Sequence, residues 1–177
     1  MADTQERLCL NPDCGWVMPD VPECPNPDCR WVNPAFTGTV DKVQEVLVMR
    51  KDLRCRRGKE VAQGSHAAQA PFSDRIVGRE DYVDDGGTEM ARLVMEVPRV
   101  MADWLLEGSF TKVVVQTKTE EEFYAVRDAA EAAGLPSRII TDRGHTEFHG
   151  IPTDTCMSVG PAWKSDLDPV TGHLPLY

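Results

Sequence analysis

Lys59, Gln63 and His66 stand at i, i+4 and i+7 of a segment with helical composition, which stacks an ammonium, an amide and an imidazole on one face. A cationic loop precedes them. Arg50, Lys51, Arg54, Arg56, Arg57 and Lys59 are opposed there only by Asp52, a local charge of +5 in a chain of net charge −10. A helix starting near Gly58 adds unpaired backbone N–H groups and the positive end of its dipole. These groups suit a bound phosphate, or an oxygen on which negative charge develops. A second set, Asp142, Thr146 and Thr155, supplies a carboxylate and two hydroxyls. Neither Ser65 nor Cys55 has a general base at a meaningful spacing, so the combined set fits attack by a directed water better than covalent catalysis.

A different chemistry is written into the first thirty-four residues. Residues 9–19, CLNPDCGWVMP, return as CPNPDCRWVNP at residues 24–34, an internal duplication. Cys9, Cys14, Cys24 and Cys29 thus form the pattern C-x4-C-x9-C-x4-C, two thiol pairs each flanking an Asn-Pro-Asp turn. Four thiolates satisfy a tetrahedral Zn²⁺ with no position left for water, so the expected site is structural; two disulfides or free thiols are the alternative. Metal binding would supply most of the folding energy of so small a module. Trp16 and Trp31 occupy equivalent places in the two copies and serve either as packing beside the metal or as exposed stacking platforms. The module's acidic balance disfavours phosphate and favours a protein partner or a structural cap.

The elements that must position the first set read as an α/β protein. Val46 to Met49 is a continuous apolar run suited to a strand buried on both faces. The helix after it carries Val61, Ala68 and Phe72 on its apolar side. Met90 to Leu106 has apolar residues at helical intervals around Pro98, which predicts a kinked helix or two short ones after a polar loop at Asp81 to Gly87. Val113 to Val115 is a second strand. Thr119 with Glu122 forms a capping box, and Phe123, Val126 and Ala130 give the next helix one apolar face. Ser137 to Thr141 and Thr155 to Val159 make the third and fourth strands. The expected fold is a three-layer α/β sandwich around a four-stranded, mostly parallel (mixed) sheet over residues 38–177, preceded by a zinc-ribbon or knuckle-like module over residues 1–37. Ligands of such sheets sit beyond the carboxyl ends of the strands, where the Lys59 and Asp142 loops would meet. Taken alone, each loop reads as an ordinary turn.

VLVMRKDLRCRRGKEVAQGSHAA, TKVVVQTKTEEEF, AAGLPSRIITDRGHT, SVGP and the final VTGHLPLY together resemble the type 2 peptidyl-tRNA hydrolase family from about residue 43 onward. That resemblance implies hydrolysis of the ester between a peptide and tRNA, with catalytic positions at Lys59, Asp142, Thr146 and Thr155 and no cofactor for the chemistry. Substrate contacts are expected from Arg50, Arg54, Arg57, Gln63, His66 and His145. Two positions depart from the family pattern: His145 replaces its usual Arg and Glu147 its usual Gln.

Other readings follow from the same residues. The fold could hold RNA or a protein without catalysis, the cysteine module acting as recruiter, or it could act on a related ester such as aminoacyl-tRNA. An acidic total excludes a general nucleic-acid coat and leaves only local contact with tRNA. No signal peptide or apolar run of membrane length stands in the sequence. The expectation is a cytoplasmic monomer or homodimer.

Overall fold

The computed structural model describes residues 41–106 and 110–177, together with two short strands before them. The chain divides into two compact units, Met1–Asp41 and Lys42–Tyr177. In the first, β1 (Arg7–Leu8) and β2 (Val17–Met18) pair antiparallel, with Arg7 opposite Met18 and Leu8 opposite Val17. The expected zinc ligands Cys9, Cys14, Cys24 and Cys29 lie outside the described residues, as do Trp16 and Trp31.

The second unit runs β3 (Val43–Arg50), α1 (Arg57–Ser73), β4 (Ile76–Val83), β5 (Glu89–Met95), α2 (Arg99–Leu106), β6 (Lys112–Thr117), α3 (Glu120–Ala132), β7 (Ser137–Asp142), β8 (Thr153–Trp163) and α4 (Lys164–Thr171). Its main sheet has the order β6-β3-β8-β7. β3 pairs β6 in parallel, and β8 runs antiparallel to both β3 and β7. The sheet is therefore mixed, with one parallel ladder and two antiparallel ones, rather than mostly parallel. Residues 143–152 are too few for a crossover helix, so β8 returns beside β7 in the opposite sense. β3, β6 and β7 still point the same way. Their carboxyl ends share one edge with the start of β8.

The alternation along β3 explains why both faces are covered. Val46 and Val48 join Val115, Phe123, Val126, Met157 and Leu167 in the core beneath α3 and α4. Leu47 and Met49 meet Ala67 and Cys156 under α1. α1 buries Gln63, Ala67 and Ala70; of the expected apolar side, Ala68 packs against the core and Phe72 is half-buried, but Val61 faces outward. Small residues at Ala67 and Ala70 let the backbone of α1 come close to the sheet, which draws the Gln63 amide inside. α3 starts at its expected cap: Glu122 N–H donates to Thr119 Oγ1 at 3.2 Å, and the Glu122 carboxylate reaches back one residue beyond the cap, accepting from Lys118 N–H at 2.6 Å.

The expected helix from Met90 is corrected. β4 and β5 form a separate antiparallel hairpin, and only Arg99–Leu106 is helical. The Asp84 side chain closes the turn by accepting from Gly86 N–H at 2.9 Å and Thr88 N–H at 2.8 Å, with Gly87 at φ +80°. Pro98 stands before α2 rather than inside it, and its carbonyl accepts from Met101 and Ala102 N–H. α2 joins the α1 side through Trp104, which stacks on Phe72 at 5.9 Å.

Glu45 is fully buried on β3, and neither of its carboxyl oxygens has a hydrogen-bond partner among the described residues. Burial pushes its carboxyl up to about 7, while Lys112, whose Nζ lies 3.8 Å from Oε2, pulls the other way. A folded-state value above the unfolded one places full stability below about 4.5, and this contribution is lost as pH rises through about 7. Glu45→Gln removes the dependence. In denaturant unfolding the variant should match its parent near pH 4 and exceed it by on the order of 3 kcal/mol at pH 8; parallel pH profiles would contradict this.

Candidate active site

At the shared edge of the sheet, α1 crosses close to β7 and β8, and three side chains from these elements interlock. Gln63 is buried on the first turns of α1. Its Nε2 donates to Asp142 Oδ2 at 3.0 Å, and its Oε1 accepts from Thr155 Oγ1 at 2.7 Å. A buried amide left half-satisfied would be strongly unfavourable, so this orientation ties the end of β7 to the start of β8. Asp142 Oδ2 also accepts from Lys59 Nζ in an ion pair. The two side chains are only 15% and 11% exposed. Lys59 Nζ reaches Thr146 Oγ1 at 3.3 Å as well.

The loop after Asp142 is built on the same carboxylate. Gly144 N–H donates to Asp142 Oδ1 at 2.8 Å. Gly144 has φ +80°, and a Cβ there would stand 2.5 Å from the carbonyl oxygen of Ile151 and 2.6 Å from its nitrogen, both backbone atoms that cannot yield cheaply. Only glycine fits. Desolvation works to raise the Asp142 carboxyl, but the Lys59 ammonium, the Gly144 N–H and the Gln63 amide together hold it below the ordinary carboxylate range. Asp142 is thus ionised at neutral pH, with both oxygens engaged. Lys59 keeps a cationic head at the mouth of the site, next to the exposed hydroxyl of Thr146. Such a set can stabilise an oxyanion and orient water.

The remaining residues singled out in the sequence separate into two groups. Arg54, Arg57, His66 and His145 are exposed, with Arg57 on the flank of α1 that also carries Glu60 and Val61, and neither Arg54 nor Arg57 forms an ion pair with a described residue. Arg50 moves inside. It is 7% exposed, donating to Asp52 Oδ2 at 2.5 Å, Glu120 Oε1 at 2.8 Å and the Asp154 carbonyl at 3.3 Å, which braces the basic loop against α3 instead of presenting a cation to substrate. Gln63 likewise lies within the network rather than at the substrate edge. Burial, followed by the nearby Glu147 and Glu60, raises the Cys55 thiol, which opposes a primed nucleophile there. The Arg56–Glu147 ion pair is the feature that sequence reasoning missed: Arg56 Nε donates to Glu147 Oε1 at 2.6 Å. Its sequence signal was a carboxylate five residues beyond Asp142, in a loop facing a cluster of cations. An apolar groove of about 650 Å³, lined by Leu47, Met49, Val61, Val114 and Tyr177, opens on the other flank of α1 and does not include Lys59 or Asp142.

The profile of the family described as Peptidyl-tRNA hydrolase PTH2 matches residues 43–177. A peptidyl-tRNA hydrolase of Methanocaldococcus jannaschii is 37% identical over 131 residues, covering 74% of this chain and 96% of its own length. Those of Thermococcus onnurineus and Methanopyrus kandleri are 35% and 34% identical, covering 76% and 75% of this chain and 98% and 97% of their own.

The Lys59–Asp142 pair predicts a measurable titration. In Lys59→Met the ammonium is gone but the desolvation of Asp142 remains, so the Asp142 carboxyl should titrate higher than in the parent, read from its side-chain carbon resonance. An unmoved titration would mean that Lys59 does not hold the carboxylate.

Proposed function

The chain belongs to the peptidyl-tRNA hydrolase family matched by residues 43–177, and from that premise we propose that Lys59, Asp142, Thr146 and Thr155 carry its hydrolysis of the ester in peptidyl-tRNA. The observation that supports this assignment most is the Lys59–Asp142 ion pair, held by Gln63 at the edge where the strands end.

Water adds to the ester carbonyl, and the resulting tetrahedral oxyanion collapses with loss of the ribose oxygen, which takes up a proton to leave tRNA and a free peptide. Lys59 is placed to stabilise the oxyanion, since an ammonium is a compact point charge that needs no reorientation when charge develops. Asp142, with both oxygens already engaged, acts by fixing that ammonium in position. Thr146 positions the attacking water or the terminal ribose through its hydroxyl. Thr155 contributes from inside by locking Gln63. Arg54, Arg57, His66 and His145 form the substrate edge and meet RNA phosphates or the ribose. The chemistry proposed needs no metal, because the ammonium supplies the positive charge.

The N-terminal cysteines have a separate role in this reading. Cys9, Cys14, Cys24 and Cys29 hold one structural Zn²⁺, which the duplicated donor set of four thiols fits, and the module recruits a protein partner or caps the chain. A substrate made in translation favours the cytoplasm as the working compartment. Among the described residues no helix is long and apolar enough to cross a membrane.

Hydrolysis of N-acetylaminoacyl-tRNA by the full chain tests the site. Lys59→Ala and Asp142→Asn should each lower kcat/KM by roughly 10²–10³-fold while the circular dichroism of the fold is retained. Undiminished turnover in either variant would remove that residue from the mechanism, and RNA binding without turnover by the parent would favour a non-catalytic module. For the metal, native mass spectrometry should find one zinc in the parent and none after Cys24→Ser; an intact zinc count in that variant would exclude the four-cysteine site.

A further inference from the structure

β4 and β5 stand apart from the main sheet and, among the described residues, pair only with each other. A lone two-stranded hairpin is marginal in water, because neither of its faces has a layer to bury against. This one is rich in apolar side chains all the same, and Val77, Val83, Leu93 and Val94 are all exposed. Its two edges differ. β4 carries Arg79, Glu80 and Asp81 at its centre, with Arg79 Nε donating to Asp81 Oδ1 at 2.7 Å. Charges of this kind guard an edge strand against pairing. On β5, Arg92 is the one charge between Met90 and Met95. Its guanidinium is drawn back across the hairpin, donating to Glu80 Oε2 at 2.7 Å and lying 5.7 Å from the centre of the Tyr82 ring. The outer edge of β5 is thus left apolar, and no described strand pairs with it.

We propose that this edge is a self-association surface: β5 pairs antiparallel with β5 of a second copy of the chain, joining two hairpins into one four-stranded sheet about a two-fold axis. Directly opposed residues of an antiparallel ladder share a face, so an axis normal to the sheet must pass between one residue and its own copy. That condition leaves few registers to compare. Centring on Arg92 would oppose two guanidinium groups. Centring on Val94 sets Leu93 against the partner's Met95 and Arg92 against the partner's Glu96, and symmetry makes each contact twice. Of the registers centred on residues of β5, this alone opposes opposite charges. Glu96 is exposed and prolongs the strand, its N–H donating to the Arg75 carbonyl at 3.1 Å. A guanidinium has donors enough to keep Glu80 while it meets the second carboxylate. The pairing satisfies the open backbone groups of β5, and a four-stranded sheet can persist where a lone hairpin cannot.

Sedimentation velocity of the full chain over a concentration series tests this. The parent should sediment as a dimer that dissociates on dilution. Val94→Lys opposes two ammonium groups across the axis, and Glu96→Lys sets a second cation against the partner's Arg92. Each should raise the dimer dissociation constant about tenfold or more, with the circular dichroism of the fold retained. Glu80→Lys, Arg92→Glu and Glu96→Lys together reverse every charge in the network and should bring association back toward that of the parent. A parent that is monomeric at every concentration would overturn the inference, and slow hydrogen exchange along β5 in that monomer would assign the edge to another occupant. A dimer indifferent to both single variants would overturn it equally, by placing the interface elsewhere.

Discussion

A single buried amide governs the geometry of this protein's reactive edge. Gln63 has one acceptor and one donor function to satisfy away from water, and it finds them on two different strands, at Thr155 and Asp142. Both bonds form only because α1 packs close to the sheet through Ala67 and Ala70, and because β8 returns antiparallel beside β7. Loosening that approach would strand polar groups in the interior, a penalty on the scale of a lost buried hydrogen bond each. The close packing and the polar network stabilise one another, which makes the position of Asp142 a property of the whole fold.

Electrostatic order is layered on this frame. The chain is acidic overall, yet its cations gather where the strands end, and several are held by specific carboxylates. Asp52 and Glu120 fix Arg50 within the structure, Asp142 fixes Lys59, and Glu147 covers Arg56. Each pairing answers a different need. Arg50 braces the loop, Lys59 remains available beside Thr146, and Arg54 and Arg57 stay open at the surface. An acidic protein can therefore present a small cationic site for an RNA terminus without attracting nucleic acid generally.

Much of this was legible in the residues. The apolar run at Val46 to Met49 announced a strand buried on both faces, and the Thr119–Glu122 box announced α3, because both signals are local. The meeting of Lys59 with Asp142 and Thr146 followed from placing two loops at the carboxyl ends of strands. What escaped was set by tertiary context. The helical spacing read from Met90 onward spans two elements, and the Asp84 turn that makes β4 and β5 a hairpin depends on side-chain bonds to Gly86 and Thr88. The outward face of Val61 and the inward turn of Gln63 reflect a packing distance that composition does not specify. Arg50 belonged to a basic cluster by sequence and to a buried ion network by structure. The partnership of Arg56 with Glu147 joins residues ninety-one positions apart, beyond any local pattern.

The proposed catalysis requires Lys59 and Asp142 to act as one unit, with the carboxylate serving the ammonium. A double-mutant cycle on kcat/KM for N-acetylaminoacyl-tRNA, using Lys59→Met, Asp142→Asn and the combined variant, measures this most directly. If Asp142 acts through Lys59, the double variant should be scarcely slower than Lys59→Met alone, a coupling of about 2 kcal/mol or more. Losses that simply multiply would contradict the account and would mean that the two groups act on the substrate independently.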